Sequence, residues 1–305
     1  MSERGTTYIV ISPVKDEVQH VEATLRSMAA QTLRPAQWII VDDGSQDATP
    51  QILAAWAREH SWIRVLRMER DTPRGPGSAV IRAFQAGFDQ VRGREFDLIV
   101  KLDCDMEFSP DYFERLLAKF QQDDRLGIAS GIYLELQDGK WKPVWMPSYH
   151  ACGASKVIRA KCWEDIGGFV AARGWDTVDE IRAQCRGWRT SHFPELQMRH
   201  HRREGEGIGQ LRTNAMHGEV YYVTGGGFLF FLLKALHRMF TGRPFLWGGL
   251  ALFWGYAKPW LSVRPRLVTR EEARHYRRLL NARLWGGFGR VGAWLGMKSA
   301  VRGSH

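Results

Sequence analysis

Phe96-Asp97-Leu98-Ile99-Val100-Lys101-Leu102-Asp103-Cys104-Asp105 is the stretch on which the fold turns. Its first seven residues read as a buried strand, and the strand runs out into two carboxylates one residue apart, Asp103 and Asp105. Hard divalent cations such as Mg²⁺ and Mn²⁺ prefer oxygen-rich sites of this kind, and Mg²⁺ is usually held by one or two carboxylates plus substrate phosphates. In a sheet covered by helices, ligands collect at the carboxyl ends of strands. Taken alone, the triplet reads equally well as an ordinary acidic turn, so the flanking sequence has to decide.

Upstream, strands and helices alternate. Residues 7–12 (TYIVIS) form a β-branched strand, and Val18, Val21, Leu25 and Met28 recur at helical spacing within Asp16 to Ala30. A second strand covers Gln37 to Val41, Asp42-Asp43-Gly44-Ser45 turns the chain, and Thr49-Pro50 opens a helix through Trp56. A third strand covers Ile63 to Leu66, and a helix from Ser78 to about Val91 precedes the strand that ends at Asp103. Such alternation predicts an α/β fold with a mainly parallel, Rossmann-like sheet covered on both faces. After Pro110 the pattern changes. Helices are expected at 110–122, 161–166 and 177–185, a strand at 127–136 with a turn at Asp138-Gly139, and loop or short strands between Trp141 and Cys152.

With 44% hydrophobic and 25% charged residues, the 305-residue chain is globular rather than disordered and long enough for one large domain or two small ones. Four cysteines without C-x-x-C spacing point to a reducing compartment and away from a zinc site or disulfide framework. The N-terminus carries no basic-then-apolar signal pattern. Charge is unevenly placed: beyond residue 230 there are 14 Lys/Arg and 2 Asp/Glu, whereas the whole chain is only +10. The same segment carries Trp247, Trp254, Trp260, Trp285 and Trp294. An anionic membrane or nucleic acid would suit such a surface. The apolar runs Phe228–Leu233 and Pro244–Ala257 fall short of the ~20 residues of a spanning helix. They read as interfacial or re-entrant helices, with a buried helical hairpin or a transmembrane hairpin as the alternatives.

Four segments in order carry a resemblance. They are Ser12-Pro13-Val14-Lys15-Asp16-Glu17; Val41-Asp42-Asp43-Gly44-Ser45-Gln46-Asp47; Lys101-Leu102-Asp103-Cys104-Asp105; and Gly167-Gly168-Phe169 followed by Trp175-Asp176 and Gly187-Trp188. Together, over about residues 6–205, they resemble a family 2 glycosyltransferase with the GT-A nucleotide-diphospho-sugar transferase fold. The resemblance implies inverting, metal-dependent, non-processive transfer of one sugar from a nucleotide-sugar, a UDP-sugar favoured, to a hydroxyl of a lipid-linked or cell-surface glycan. It implies Mn²⁺ or Mg²⁺ on Asp105, with Asp103 on the metal or the ribose and His200 completing the metal shell; a basic surface loop is the other reading of His200. Pro13, Val14, Glu17, Asp42, Asp43 and Arg74 would line the nucleotide pocket. Asp42 also reads as a turn-stabilising carboxylate, Glu17 as a first-turn helix acid and Arg74 as a solvated loop residue. Asp176 takes the position of the catalytic base, with Trp175 where the family has Glu. Asp179 and Glu180, one turn along, are rivals for that role. Trp175 is either an acceptor platform or core. A Gly-containing segment, 202–216, reads as a lid.

The implied organisation is a glycosyltransferase domain at 1–217, with a nucleotide-binding half at about 1–110 and an acceptor half at about 111–217, then a basic, Trp-rich helical extension at 218–305. The implied location is cytoplasmic and peripheral at the inner face of the membrane, with no nucleic-acid partner. A soluble transferase using the tail as dimer interface, a soluble nucleotidyltransferase and a nucleic-acid-binding protein are the competing readings. The last leaves D-x-D and DDGS unexplained, and the nucleotidyltransferase lacks a G-x-G-T-R-type loop after the first strand.

Overall fold

The computed structural model describes residues 6–69, 77–202, 209–241 and 244–283. Arg74, Trp285, Trp294 and residues 203–208 of the expected lid lie outside them. The chain divides into two compact units, residues 1–204 and 205–305.

The first unit is built on one sheet in the order β3-β2-β1-β4-β8-β6-β9-β5, with β7 paired to β6. Four strands are parallel: β1 (Tyr8–Val14), β2 (Gln37–Asp42), β3 (Ile63–Arg67) and β4 (Leu98–Leu102). Their apolar residues alternate between two cores, as period-2 side chains must. Tyr8, Val10, Trp38, Ile40, Leu98 and Val100 face one side. Ile9, Ile11, Ile39, Val41 and Ile99 face the other. Helices α1 (Val21–Ala29), α2 (Thr49–Glu59) and α4 (Tyr112–Gln122) feed the first core through Leu25, Met28, Leu53, Phe113 and Leu116. Helices α3 (Ser78–Asp89), α5 (Ala160–Ile166) and α6 (Trp175–Cys185) feed the second through Ile81, Phe84, Trp163, Ile166 and Ala183.

Beyond β4 the sheet is mixed, which narrows the expected mainly parallel sheet to its first four strands. Strand β8 (Ser155–Arg159) runs antiparallel to β4 and to β6 (Leu126–Gln137). Strand β9 (Arg189–His200) runs parallel to β6 and antiparallel to β5 (Met106–Phe108), and β7 (Lys140–Pro143) is antiparallel to β6. Strands β5, β8 and β9 have no clear apolar period. β9 carries Pro194, which cannot donate to a ladder, and its register against β6 jumps between Phe193 and Gln197.

The first helix begins at Val21 rather than Asp16. Asp16 takes φ +50°, a left-handed conformation that Asp tolerates. The backbone N–H of Asp16 donates to Ser45 Oγ, that of Glu17 to Thr49 Oγ1, and Asp16 Oδ1 accepts from the Gln46 N–H. These bonds tie residues 16–17 to the DDGS turn and leave no room for a helical turn there.

The second unit is helical: α7 (Gln210–Val223), α8 (Phe228–Thr241), α9 (Trp247–Leu261) and a helical stretch at 270–283. Residue 217, where the sequence puts the end of the first domain, lies inside α7, and residues 210–216 of the expected lid form its first turns. Helices α7 and α9 approach closely through glycine. A Cβ on Gly255 would stand 1.9 Å from the Ala215 carbonyl oxygen, and one on Gly218 2.0 Å from that of Leu252. Among the described residues, no helix is long and apolar enough to cross a membrane.

In the first unit, Gly131 occupies the irregularity where β6 changes register against β9. Its N–H donates to Tyr112 Oη at 2.9 Å, and a Cβ there would meet the Leu196 carbonyl oxygen at 2.2 Å. Gly131→Ala therefore overpacks a backbone-to-backbone contact and should cost about 1–3 kcal/mol in urea denaturation.

Candidate active site

The parallel strands fix where a ligand can sit. Strand β1 lies between β2 and β4, so the chain order reverses at β1/β4. The crevice outside the carboxyl ends of strands at such a switch point is the place where open α/β sheets bind ligands. Three of the four motif segments end there.

On the β2 side, Asp42 shapes its own turn. Its Oδ1 accepts the Ser45 N–H at 2.8 Å, and Oδ2 lies 3.2 Å from the Arg67 guanidinium. Asp43 is anchored by its backbone, donating N–H to the Val14 carbonyl and accepting at its own carbonyl from Lys15 Nζ at 3.0 Å. Pro13 and Val14 pair in register with Val41 and Asp42, at the lip of the crevice. Glu17 is buried and accepts from the Arg202 guanidinium at 2.7 Å. That bond draws the end of β9 toward β1, a closure invisible to local sequence reading.

At the mouth of β4, Lys101 Nζ lies 2.5 Å from Asp103 Oδ1 and donates to the Gly153 carbonyl at 2.8 Å. Desolvation pushes the Asp103 carboxyl above its ordinary range; Lys101 opposes this and the neighbouring Asp105 adds to it. Asp105 is buried, and its carboxylate stands 3.5 Å from His200 Nε2. Strand pairing brings them together, since His200 is in register with Met106 on β5 and with Glu135 on β6. Glu135 Oε1 is 3.8 Å from His200 Nδ1. Burial alone would depress the His200 pKa, but Asp105 and Glu135 outweigh it and push it up to about 10. Among the described residues no three such side chains form a ready-made metal cluster. The donor set still fits a hard divalent cation: a buried carboxylate oxygen with an imidazole nitrogen beside it, the remaining positions falling to substrate phosphates and water.

The later part of the first unit is organised by a buried ion cluster. Lys156 on β8 is fully buried and donates to Asp179 Oδ1 and Oδ2 at 3.1 and 3.0 Å, to Glu180 Oε1 at 3.2 Å and to the Asp176 carbonyl at 2.8 Å. Burial, which alone would lower its pKa, is outweighed by Asp179, Glu180 and Asp176, so the ammonium is held charged. Glu180 also accepts the Ala151 N–H at 2.7 Å and lies 2.9 Å from His150 Nδ1. Asp176 is only half-buried, and among the described residues its carboxylate enters no hydrogen bond or ion pair. Trp175 packs against Phe169 at 4.5 Å, with the Lys101 and Lys156 ammonium groups 5.5 and 5.2 Å from its ring centroid. It belongs to the core, with 8% of its surface exposed.

With this geometry in view, comparison with known proteins is direct. The sequence model described as Glycosyl transferase family 2 matches residues 9–169, more than half of the chain. The chain belongs to glycosyl transferase family 2. Among curated relatives, an undecaprenyl-phosphate 4-deoxy-4-formamido-L-arabinose transferase of Pseudomonas aeruginosa is 31% identical over 137 residues, 44% of this chain and 37% of its own length. Glycosyltransferase AglD of Haloferax volcanii is 27% identical over 223 residues, covering 62% and 33%. The chain thus spans about a third of the length of these relatives. Among solved structures, a mannosyltransferase from Pyrobaculum calidifontis in complex with GDP-Man and Mn²⁺ superposes with a TM-score of 0.53 at 16% identity, over 97% of this chain and 85% of that one. S. aureus TarS 1-349 in complex with UDP-GlcNAc gives 0.54 at 16%, over 89% and 78%. The fold is therefore GT-A, as the motifs imply.

Four residues absent from the sequence reading join these clusters: Glu135, His150, Lys156 and Arg67. Each arrives through strand pairing or a loop contact rather than through a motif. An invariant-looking spacing could not have flagged them. A lysine inside an otherwise apolar strand, as at Lys101 and Lys156, is the one local signal, because such a cation needs a buried partner.

Lys156→Met would leave Asp179 and Glu180 buried without their cation and should destabilise the protein by about 3–5 kcal/mol in denaturant unfolding, part of it recovered by adding Asp179→Leu. His150 gives a pH signature. Burial lowers its pKa, but Glu180 and Asp176 outweigh burial and the nearby Lys156, so the folded value lies above the ordinary 6.5. Its stabilising contribution is full below that ordinary value and fades as pH rises through the folded one. The Tm difference between wild type and His150→Gln should be larger at about pH 6 than at about pH 9.

Proposed function

We propose that this chain transfers a single sugar from a nucleotide-diphosphate donor to a hydroxyl of a lipid-linked or cell-surface glycan, with inversion at the anomeric carbon and with a divalent metal. The observation that carries the reading is the convergence of Asp43, Asp103 and Asp105 on one crevice, with a half-buried, uncommitted Asp176 on the acceptor half. A UDP-sugar is the favoured donor, and GDP- and dTDP-sugars are the alternatives. Polyprenyl-phosphate chemistry in the relatives' names supports a lipid-linked acceptor at a membrane face.

In this reading Asp43 and Asp103 hold the nucleoside, with Lys101 fixing the direction of the Asp103 carboxylate. Asp105 and His200 would hold Mn²⁺ or Mg²⁺, which when bound supplies Lewis-acid stabilisation of charge on the departing diphosphate. Asp176 accepts the proton of the attacking hydroxyl. The acceptor oxygen bonds to the anomeric carbon as the bond to the diphosphate breaks, and the bonding pair leaves with the nucleotide. Asp179 and Glu180 are unsuited to the base role because Lys156 already occupies both. Their task is to hold α6, and with it Asp176, at the right place.

The relatives' names favour a second reading in one respect: the nucleophile is the phosphate of a polyprenyl carrier. A phosphate oxygen is already ionised and needs no base. Asp176→Asn separates the two. With a hydroxyl acceptor it should lower transfer by about 10²–10⁴-fold at unchanged donor affinity; with a phosphate acceptor the loss should be slight.

The direct test is calorimetry with UDP-, GDP- and dTDP-sugars in the presence of Mn²⁺ or Mg²⁺. One nucleotide should bind, and Asp105→Ala should weaken Mn²⁺ binding by about tenfold or more, the effect of losing at least ~1.4 kcal/mol of ligation. If no sugar nucleotide binds, the transferase reading fails.

A further inference from the structure

Helices α8 and α9 each present one apolar face inward and another outward. Inward, Phe231 and Tyr256 stack at 4.3 Å within a cluster that includes Tyr221, Tyr222 and Leu252. Outward, Leu229, Leu233, Leu236 and Phe240 fall at i, i+4, i+7 and i+11 of α8 and are 68, 40, 42 and 67% exposed. Trp247 and Trp254 fall at i and i+7 of α9 and are 65 and 59% exposed. These are continuous helical stripes rather than scattered apolar residues, and a soluble surface rarely leaves an apolar patch of this kind without a partner.

We infer that the outer face of α8 and α9 docks in the plane of an anionic lipid bilayer, its Trp, Phe and Leu side chains lodged at the headgroup–acyl boundary. Three observations select this occupant. First, length: 14 and 15 residues make helices of about 21 and 23 Å at 1.5 Å per residue, short of the ~30 Å hydrocarbon core. Second, side-chain chemistry: Lys258 continues the Trp247/Trp254 stripe at i+11, where its stem can lie along the apolar surface while the ammonium reaches the headgroups. Exposed Trp belongs to the same boundary layer. Third, charge: beyond residue 230 the chain has 14 Lys/Arg against 2 Asp/Glu. Exposed Lys258, Arg266 and Arg270 follow the apolar stripe along the chain. A second copy of this chain seated on the same face would oppose cations to cations across a two-fold axis. Anionic headgroups neutralise them. The inference stands apart from the transferase reading and does not depend on it.

The test is co-sedimentation of the full chain with vesicles of phosphatidylglycerol in phosphatidylcholine, and of phosphatidylcholine alone, at low and high salt. Binding should favour the anionic vesicles and weaken with salt. The double variant Trp247→Ser/Trp254→Ser should lower the partition coefficient by at least about tenfold. Lys258→Gln should lower it less and reduce its salt dependence. An unchanged thermal transition in both variants shows that the fold is intact, and Mn²⁺ binding by calorimetry should be unaffected. Failure to bind either vesicle at low salt overturns the inference. So does anionic binding indifferent to the two tryptophans, which is mere electrostatic adhesion. A dimer in sedimentation velocity that the double variant dissociates, without any vesicle binding, assigns the face to a second copy instead.

Discussion

One fully buried ammonium group holds β8 and α6 together. Lys156 reaches from β8 to both carboxylates of α6 and to the Asp176 carbonyl. Stripping the charge of its water is expensive, and only several close oxygens at once offset that cost. The cluster therefore permits one arrangement of β8 and α6. Glu180, held by Lys156, in turn orders residues 150 and 151 through His150 and the Ala151 N–H. The side chain left over is that of Asp176, one turn away at the start of the helix. Asp179 and Glu180 are both engaged by Lys156, whereas among the described residues the Asp176 carboxylate enters no hydrogen bond or ion pair.

The same logic explains the Trp at position 175. The family resemblance implies Glu there, and in this structure the position lies beside Lys101 and Lys156. In this chain the lysines have found other oxygens: Lys101 takes Asp103 and the Gly153 carbonyl, while Lys156 takes α6. An aromatic ring 5.5 and 5.2 Å from the two ammonium groups still offers each a negative π face, worth on the order of 0.5–2 kcal/mol. The replacement thus keeps attraction to both cations while adding apolar volume against Phe169. Lys101 meanwhile holds the Asp103 carboxylate through its ammonium.

How far the sequence disclosed this can be judged element by element. The strand preceding Asp103 and the β1 and β2 strands were legible because each is buried on both faces and reads as an apolar run. Helix α1 was legible by its period and α2 by its Thr49-Pro50 start, with α1 starting late because Asp16 and Glu17 are claimed by the DDGS turn. Strands β8 and β9 were not legible: SKVIR contains a lysine that no strand pattern predicts, and RTSHFPELQMRH contains a proline and little apolar alternation. The site divides along the same line. Motif residues such as Asp43, Asp105 and Asp176 stand out in sequence. Glu135, His150 and Arg202 acquire their partners across tens of residues of intervening chain, through pairing that a linear pattern does not encode.

The two units handle charge differently. In the first unit, cations that enter the interior do so only with matched acids, as Lys101 and Lys156 show, so the net charge stays near neutrality. In the second unit the packing is mainly apolar: α7 and α9 touch backbone to backbone at Gly218 and Gly255, Phe231 stacks on Tyr256, and the buried Glu272 accepts the Thr269 N–H. Close small-residue packing of this kind works whether or not water surrounds the helices, because it relies on van der Waals contact rather than on expelling water from between them. Cations beyond residue 230 outnumber acids 14 to 2, and of the described ones Arg264 pairs with Glu219. An unmatched surface charge lowers the stability of an isolated protein through self-repulsion, and an exposed stripe of Leu, Phe and Trp lowers its solubility. The glycine contacts between α7 and α9 hold the helices together against both costs.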